Sequence, residues 1–182
     1  MTLLLTVMSA SAQEDTLHIL FKGVPVTGLE EDFSKQLTAK GFSTSKGLLT
    51  GPFAGYDATL RLRKTKVSGM IYSVTATLRP CGWKQAKADY IIFKTNMSLK
   101  YGQPTSVSER FTGAYHEGDG YELKALSEEA CRFCSEWRTS LGRILIEIGY
   151  ANKAAAVTIT YEDAINAKLN IQEKTNIFLE DL

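Results

Sequence analysis

Cysteines are the first residues of this 182-residue chain whose spacing could support chemistry. Cys131 and Cys134 form a C-x-x-C pair, a spacing found in redox sites when it opens a helix and in zinc sites when a second cysteine pair is present. The surrounding residues alternate as in a strand, where positions three apart point to opposite faces, so we expect structural or free cysteines. In an exported protein, one disulfide could join Cys81 to either Cys131 or Cys134 and leave one thiol unpaired.

A histidine beside carboxylates is the second group that could do chemistry, in the run His116-Glu117-Gly118-Asp119. Histidine titrates near neutral pH and could act as a base or a metal ligand. The other histidine, His18, falls in a predicted strand, so no two-histidine metal motif and no Ser-His-Asp arrangement follows from the spacing. We expect a solvated loop here, with no cofactor and no metal. The alternative is a small hydrolase or metal-dependent enzyme built around His116 and Asp119.

Arginines give a less obvious signal, because six of the seven fall in predicted strands at positions opposite in parity to the apolar residues. These six are Arg61, Arg63, Arg79, Arg132, Arg138 and Arg143. We expect an outer sheet face that they share with Thr59, Thr75, Thr77, Thr158, Thr160, Glu136 and Glu147. The planar guanidinium binds carboxylates and is enriched at interaction hot spots, so this face is predicted to bind a protein partner or an anionic ligand. The alternative is a solvated face with cross-strand Arg/Glu pairs.

The clearest element that could position these groups is a helix from Trp83 to Tyr101. Its apolar residues recur every three or four positions, at Trp83, Ala86, Tyr90, Phe93, Met97 and Tyr101. Gly102 and Pro104 then provide a stop signal. Because a helix with one apolar stripe must bury that stripe, we expect it to pack on a sheet.

The residues before this helix predict a shorter helix and three strands. A strand is expected at residues 17–22, and Thr27 with Glu30 has the form of a capping box for a helix that ends at Lys40-Gly41. A loop is predicted over residues 47–55. Two strands should follow, with their connection near residues 66–69.

The residues after the central helix repeat this order. A loop over residues 103–120 is expected before four strands. These strands are predicted at residues 121–126, 131–139, 143–150 and 155–161. Beyond Asp163, we expect a short weak helix or an irregular strap. Both halves have the order helix, then strands, which we interpret as a structural pseudo-repeat.

The fold class predicted from these elements is α+β, with helices packed on one face of a largely antiparallel sheet. Residues 13–80 and 81–182 would form two tandem helix-plus-sheet units, or their strands would join in one continuous sheet. A formal net charge of +1 argues against nucleic-acid binding driven by bulk charge. No run after the N-terminus approaches the ~20 apolar residues of a membrane helix, so no membrane span is expected.

The N-terminal residues 1–12 have the features of a signal peptide. An apolar stretch from Thr2 to Met8 precedes the small-x-small sequence Ala10-Ser11-Ala12, which predicts cleavage before Gln13 and an exported protein, periplasmic or extracellular. There is no Lys or Arg before Lys22. The true start therefore lies upstream of Met1, or the apolar stretch is an N-terminal strand.

Several segments carry a resemblance to known proteins: FKGVPVTG, GPFAGY, WKQAKADYIIFKTNMSLKYGQP, and ILIEIGY followed by VTITYEDAIN. Over nearly the whole mature chain, they resemble a group of exported proteins of Bacteroidetes-type bacteria. In helix and strand order the chain is similar to the tandem α/β architecture of the β-lactamase inhibitor protein family, whose two helix-plus-sheet units present a concave sheet surface to a partner. No residue role is carried over, since fold alone does not define function.

The function predicted from the sequence is that of an exported binding or protein-interaction module without catalytic activity. The enzyme centred on His116 is one alternative. A structural subunit of an envelope assembly is the other.

Overall fold

The computed structural model describes residues 17–45 and 47–182. Its helices are α1 (Glu30–Thr38), α2 (Trp83–Tyr101), α3 (Glu122–Ser127) and α4 (Ala164–Glu180). Its strands are β1 (Leu20–Phe21), β2 (Val24–Pro25), β3 (Ser43–Ser45), β4 (Leu48–Phe53), β5 (Tyr56–Lys64), β6 (Ile71–Leu78), β7 (Ser106–Phe111), β8 (Cys131–Thr139), β9 (Gly142–Ala151) and β10 (Ala154–Asp163). The predicted signal peptide and its cleavage site lie outside the described residues. The predicted α+β class is confirmed.

Eight strands form one antiparallel sheet in the order β3-β4-β5-β6-β10-β9-β8-β7, and β1 and β2 form a separate hairpin. Strands β3 to β6 follow α1, and strands β7 to β10 follow α2, with α3 inserted between β7 and β8. The two sets meet where β6 pairs antiparallel with β10. The strand order is therefore symmetric about this central pair, and both halves of the chain complete one continuous sheet.

Helix α2 has the limits that its periodicity predicts. It runs from Trp83 to Tyr101, and Gly102 has a φ of +81°. The Tyr90 ring lies edge-on to Phe133 of β8, with 6.0 Å between ring centroids, and the Phe93 ring stacks on Phe53 of β4 at 5.8 Å. Because β4 and β8 belong to different halves of the sheet, α2 packs against both.

The start of α1 differs from the prediction. Leu29 occupies the N-cap position and no side chain caps this end, so the predicted capping box of Thr27 and Glu30 is wrong. The Thr27 hydroxyl instead accepts a hydrogen bond from Asn166 Nδ2 of α4 at 2.9 Å. The Thr27 hydroxyl oxygen, which the local sequence predicts to cap α1, therefore accepts a long-range hydrogen bond from α4 instead.

The loop predicted over residues 47–55 is also wrong in part, because β4 lies within it. Gly51 sits in the middle of that strand. A Cβ at this position would lie 2.7 Å from the backbone and ring of Phe42, closer than carbon atoms can pack. Glycine is therefore needed here for close approach, and its presence does not mark a loop.

Two elements of the second half differ from the prediction. The predicted loop over residues 103–120 contains β7, and the predicted strand over residues 121–126 is helix α3. Strand β7 lacks a regular apolar pattern, because Glu109 occupies a position that faces the helix side. There Tyr90 and Lys94 donate hydrogen bonds to the Glu109 carboxylate. Helix α3 buries Ala125 and Leu126, which are adjacent, and a strand could not bury both on one face.

Helix α4 is a regular helix of 17 residues, longer than the weak helix or strap predicted. Its buried residues are Asn166, Asn170 and Glu173, which is why its apolar pattern is weak. Asp163 caps the helix by accepting a hydrogen bond from the Asn166 amide at 2.9 Å. Asn166 Nδ2 also donates to Ile71 O at 2.9 Å, so polar contacts dock this helix. None of the helices in the described residues is long and apolar enough to cross a membrane.

We expect the docking of α4 to weaken in acid because of Glu173. Its carboxylate accepts hydrogen bonds from the Ser68 hydroxyl at 2.5 Å, the Val67 amide at 2.5 Å and the Ser68 amide at 3.0 Å. These bonds, that of the Ser68 hydroxyl first, hold the pKa of Glu173 below its ordinary value of 4.5. The stabilisation is present above pH 4.5 and is lost as the pH falls through the lowered pKa.

Amide hydrogen exchange along α4 between pH 6 and pH 3 measures this effect. Exchange, corrected for its intrinsic pH dependence, should rise in α4 at the acid end. A Glu173→Gln variant should show faster corrected exchange at pH 6 and a smaller further change on acidification. An equal pH response in both proteins would contradict the assignment.

Candidate binding face of the sheet

The eight-stranded sheet has two chemically different sides. Leu60, Ala76 and Ile159 are buried on the side that packs against α1, α2 and the β1–β2 hairpin. The residues that alternate with them form the opposite side, which we call the outer face. Since neighbouring strands are in antiparallel register, the outer-face residues of adjacent strands form continuous rows across the sheet.

The structure places five of the predicted arginines on the outer face. They are Arg61 and Arg63 of β5, Arg132 and Arg138 of β8, and Arg143 of β9. The sixth, Arg79, directly follows β6 and is exposed. The predicted parity therefore holds for the strand residues, although Arg79 lies just beyond its strand.

Threonines form the centre of this face. Thr59 lies opposite Thr50 on one side and Thr77 on the other, and Thr77 lies opposite Thr158. In the next row, Arg61 is opposite Thr75. The Thr75 and Thr160 hydroxyls form a hydrogen bond of 2.9 Å across the β6/β10 pair. The result is a floor of short side chains with hydroxyl groups.

Two grooves meet over this floor. One has a volume of about 570 Å³ and is lined by Thr59, Arg61, Thr77 and Thr158 of the outer face and by Glu30 and Ser34 of α1. The other, of about 610 Å³, includes Thr59, Thr77, Arg79 and the carboxylate residue Asp57. Since both contain the Thr59–Thr77 pair, Arg61 and Arg79 occupy adjoining parts of one recessed surface.

The arginines at the β8–β9 end have carboxylate partners. Arg138 Nε lies 2.5 Å from Glu136 Oε1. The Arg143 guanidinium lies 3.5 Å from Glu136 and 3.3 Å from Glu162. The Arg143 pairs cross from β9 to β8 and β10, as on a solvated sheet face, whereas Arg138 and Glu136 are both in β8; together the pairs neutralise this end of the outer face.

The other arginines differ in this respect. Within residues 17–45 and 47–182, Arg61, Arg63, Arg79 and Arg132 form no ion pair with a carboxylate. Arg132 Nε instead donates to Cys134 Sγ at 3.4 Å. The outer face therefore combines a neutralised end with guanidinium groups that keep their capacity to bind an anion.

Sequence reasoning missed one arginine of this face. Arg110 of β7 is exposed and lies directly opposite Arg132 in the β7/β8 register. Like charges in such positions repel each other, so this pair does not stabilise the sheet. Arg110 lies in the segment that the sequence predicts to be a loop; Val107 and Phe111 have the spacing of a strand, but Glu109 between them interrupts the apolar pattern.

The cysteines do not form the disulfide considered from the sequence, because Cys81, Cys131 and Cys134 are all free thiols. Cys131 is opposite Phe111 and faces the core, whereas Cys134 is opposite Ser108 on the outer face. The C-x-x-C residues thus point to opposite sides of β8. Burial raises the pKa of the Cys131 thiol to about 11, so it is protonated and unreactive at neutral pH.

The His116 loop is solvated. The His116 side chain is 75% exposed, and its Nδ1 lies 3.5 Å from Asp119 Oδ2. The Asp119 carboxylate accepts hydrogen bonds from the His116 and Tyr121 amides, which hold its pKa below the ordinary value. Its oxygens therefore organise the loop. In the part of the chain that the structure describes, no group of three or more His, Cys, Asp or Glu residues is placed to hold a metal.

Comparisons with known proteins identify no relative. No family model matches this chain, and no match was found among curated proteins or solved structures. The resemblance to exported Bacteroidetes-type proteins and to the β-lactamase inhibitor protein architecture stays a prediction. The geometry of the outer face is therefore the basis for a function.

Proposed function

We propose that this protein is an exported, non-catalytic binding or protein-interaction module that recognises a protein partner or an anionic ligand through its outer face. The observation that carries the proposal is the recessed threonine floor with Arg61 and Arg79 in its adjoining grooves. Neither arginine has a carboxylate partner among the described residues. Export is proposed from the sequence of residues 1–12.

The floor supports close approach by a partner. Threonine side chains are short, so a partner can reach the sheet, and their hydroxyls both donate and accept hydrogen bonds. A carboxylate brought to Arg61 or Arg79 would meet a planar guanidinium fork. A desolvated arginine of this kind is a typical interaction hot spot.

The paired arginines suit a different role. Arg138 and Arg143 already bind Glu136 and Glu162, so a partner must compete with existing ion pairs at that end. Charge–charge contacts at the rim of an interface chiefly change the association rate and contribute little to affinity. We therefore assign the specificity of this face to its Arg61 and Arg79 side.

The test is capture from the envelope fraction of the producing organism by immobilised protein comprising residues 13–182. Wild type and an Arg61→Ala/Arg79→Ala double variant would be compared, with mass spectrometry of what each retains. A Lys35→Ala/Lys84→Ala variant is the matched control, because it removes two exposed positive charges from α1 and α2. We expect a component that wild type and the control retain and the arginine variant loses. Identical retention by all three proteins would contradict the proposal.

A further inference from the structure

An apolar cleft lies on the helix side of the sheet, away from the outer face. It has a volume of about 530 Å³ and is formed by the β1–β2 turn, the β4–β5 turn and one side of α2. Its lining includes Leu20, Lys22, Phe53, Phe93, Met97 and Lys100. This size is within the roughly 300–1,000 Å³ of small-molecule sites.

The inner wall of the cleft is formed mainly by stacked aromatic rings. The Phe53 ring stacks between Phe21, at 5.1 Å, and Phe93, at 5.8 Å. Met97 and Tyr161 are buried beside them, and the Tyr161 hydroxyl lies 3.9 Å from the Met97 sulfur. Such a wall makes dispersion contacts with an apolar chain and offers few polar groups to it.

The mouth of the cleft has apolar side chains that remain in contact with water. Leu20 is 39% exposed and Ile92 is 47% exposed. Both line the cleft, so an apolar molecule that enters it would cover their exposed surface. Burial of this surface would favour binding.

The charged residues of the lining are both lysines, Lys22 and Lys100, and the lining contains no carboxylate. Lys22 Nζ donates to Pro52 O at 2.6 Å and to Lys40 O at 3.4 Å, which fixes the position of the ammonium. The ammonium also lies 5.2 Å from the centroid of the Phe42 ring, so at most one of its three donors is available to a ligand. Asn96 adds an amide to this polar rim.

The backbone holds Lys22 in place as well. Lys22 and Gly23 have φ values of +52° and +76° in the two-residue turn between β1 and β2. Left-handed backbone is unusual for a lysine, and glycine or asparagine is the ordinary choice for such a turn. This turn therefore places a lysine at the mouth of the cleft in a backbone conformation that is unfavourable for it.

We propose that this cleft binds a fatty acid or a similar acyl-chain carboxylate. The chain lies against Phe53, Phe93 and Met97, and the carboxylate binds the ammonium groups of Lys22 and Lys100. Positive charge at the mouth and the lack of acidic groups in the lining select an anionic head over a cationic one. The site is separate from the outer face, so it is tested independently of the proposed partner binding.

Calorimetric titration with monomeric octanoate, decanoate and dodecanoate tests the proposal. Each methylene that enters the cleft should strengthen binding by about fourfold. Acetate and decyltrimethylammonium are the controls for the head group alone and for an apolar chain with the opposite charge. Affinity that does not depend on chain length, or equal affinity for the ammonium amphiphile, would overturn the proposal.

Substitutions locate the site. Lys22→Asn keeps a residue that tolerates left-handed backbone, and Lys100→Gln replaces the ammonium by a neutral amide on a side chain one atom shorter. Each should weaken decanoate binding at least fivefold, because each removes a charge-assisted hydrogen bond. Thermal unfolding of each variant establishes that it is folded, and the chain-length series on wild type stands even where one variant fails to fold.

The apolar mouth has its own matched pair of variants. Ile92→Ser should weaken decanoate binding about fivefold, whereas Ile91→Ser should leave it unchanged. The two residues are adjacent in α2 and similarly exposed, at 47% and 48%, but of these two only Ile92 lines the cleft. Equal losses at both positions would place the binding elsewhere on α2 and contradict the assignment.

Discussion

A Tyr90→Ala substitution is expected to lower the free energy of unfolding by about 3–5 kcal/mol. Tyr90 is fully buried, and its ring packs against Phe133 of β8. Its hydroxyl is hydrogen-bonded to Ser135 Oγ at 2.6 Å and donates to Glu109 Oε1 at 2.9 Å. Alanine would leave a cavity and deprive Ser135, which is itself fully buried, of this partner. Urea-induced unfolding measures the change.

Two further variants separate the contributions to this effect. Tyr90→Phe removes the hydroxyl alone and should cost about 1–3 kcal/mol, because a buried donor–acceptor network is left incomplete. Lys84→Ala, on the exposed side of the same helix, should cost under about 0.5 kcal/mol. A cost at Lys84 equal to that at Tyr90 would mean that α2 buries a different side.

The Arg61→Ala/Arg79→Ala double variant should bind the captured partner about thirtyfold more weakly than wild type. A desolvated arginine at an interface contributes about 2 kcal/mol or more, which corresponds to this loss of affinity. The melting temperature should hardly change, because both side chains are exposed. Surface plasmon resonance and thermal unfolding on the same preparations give the two values.

The control for net charge is the Lys35→Ala/Lys84→Ala variant. It removes the same charge from the helices and should bind within about twofold of wild type, since distant exposed charges are screened by salt. Equal weakening by both double variants would attribute the effect to net charge. If neither double variant bound the partner more weakly, the outer face would be an ordinary solvated surface.

The sequence contains enough information for the elements whose apolar pattern is undisturbed. Helix α2 could be predicted to the residue, because its stripe from Trp83 to Met97 is buried and Gly102 ends it with a positive φ. Strands β8, β9 and β10 could be predicted in the same way, because their buried residues recur largely with a period of two. In these elements, the residues that periodicity predicts to be buried are mostly the residues that the structure buries.

Local pattern failed where polar side chains are buried. Asn166, Asn170 and Glu173 face the protein in α4, and Glu109 faces Tyr90 and Lys94 in β7. Asn166, Glu173 and Glu109 form hydrogen bonds with residues distant in sequence, such as Ile71 for Asn166. A periodicity argument assigns such residues to solvent, so it underestimates these elements.

The candidate sites could likewise be predicted only in part from local sequence pattern. Strand parity was sufficient to place Arg61, Arg138 and Arg143 on one face, but not to tell which of them is neutralised. That distinction depends on the register that brings Glu136 and Glu162 beside Arg143. The lysine-rimmed cleft was beyond sequence reasoning, since its walls come from two turns and a helix that are distant in the chain.

The most direct test of the outer face is arginine-selective modification with phenylglyoxal, followed by peptide mass spectrometry, with and without the captured partner. The account predicts that partner binding slows modification of Arg61 and Arg79 by about tenfold or more, as expected for groups buried at an interface. Acetylation of Lys35 and Lys84 on the helix side should proceed at unchanged rates. Undiminished modification of Arg61 and Arg79 in a complex that protects Lys35 and Lys84 would contradict it.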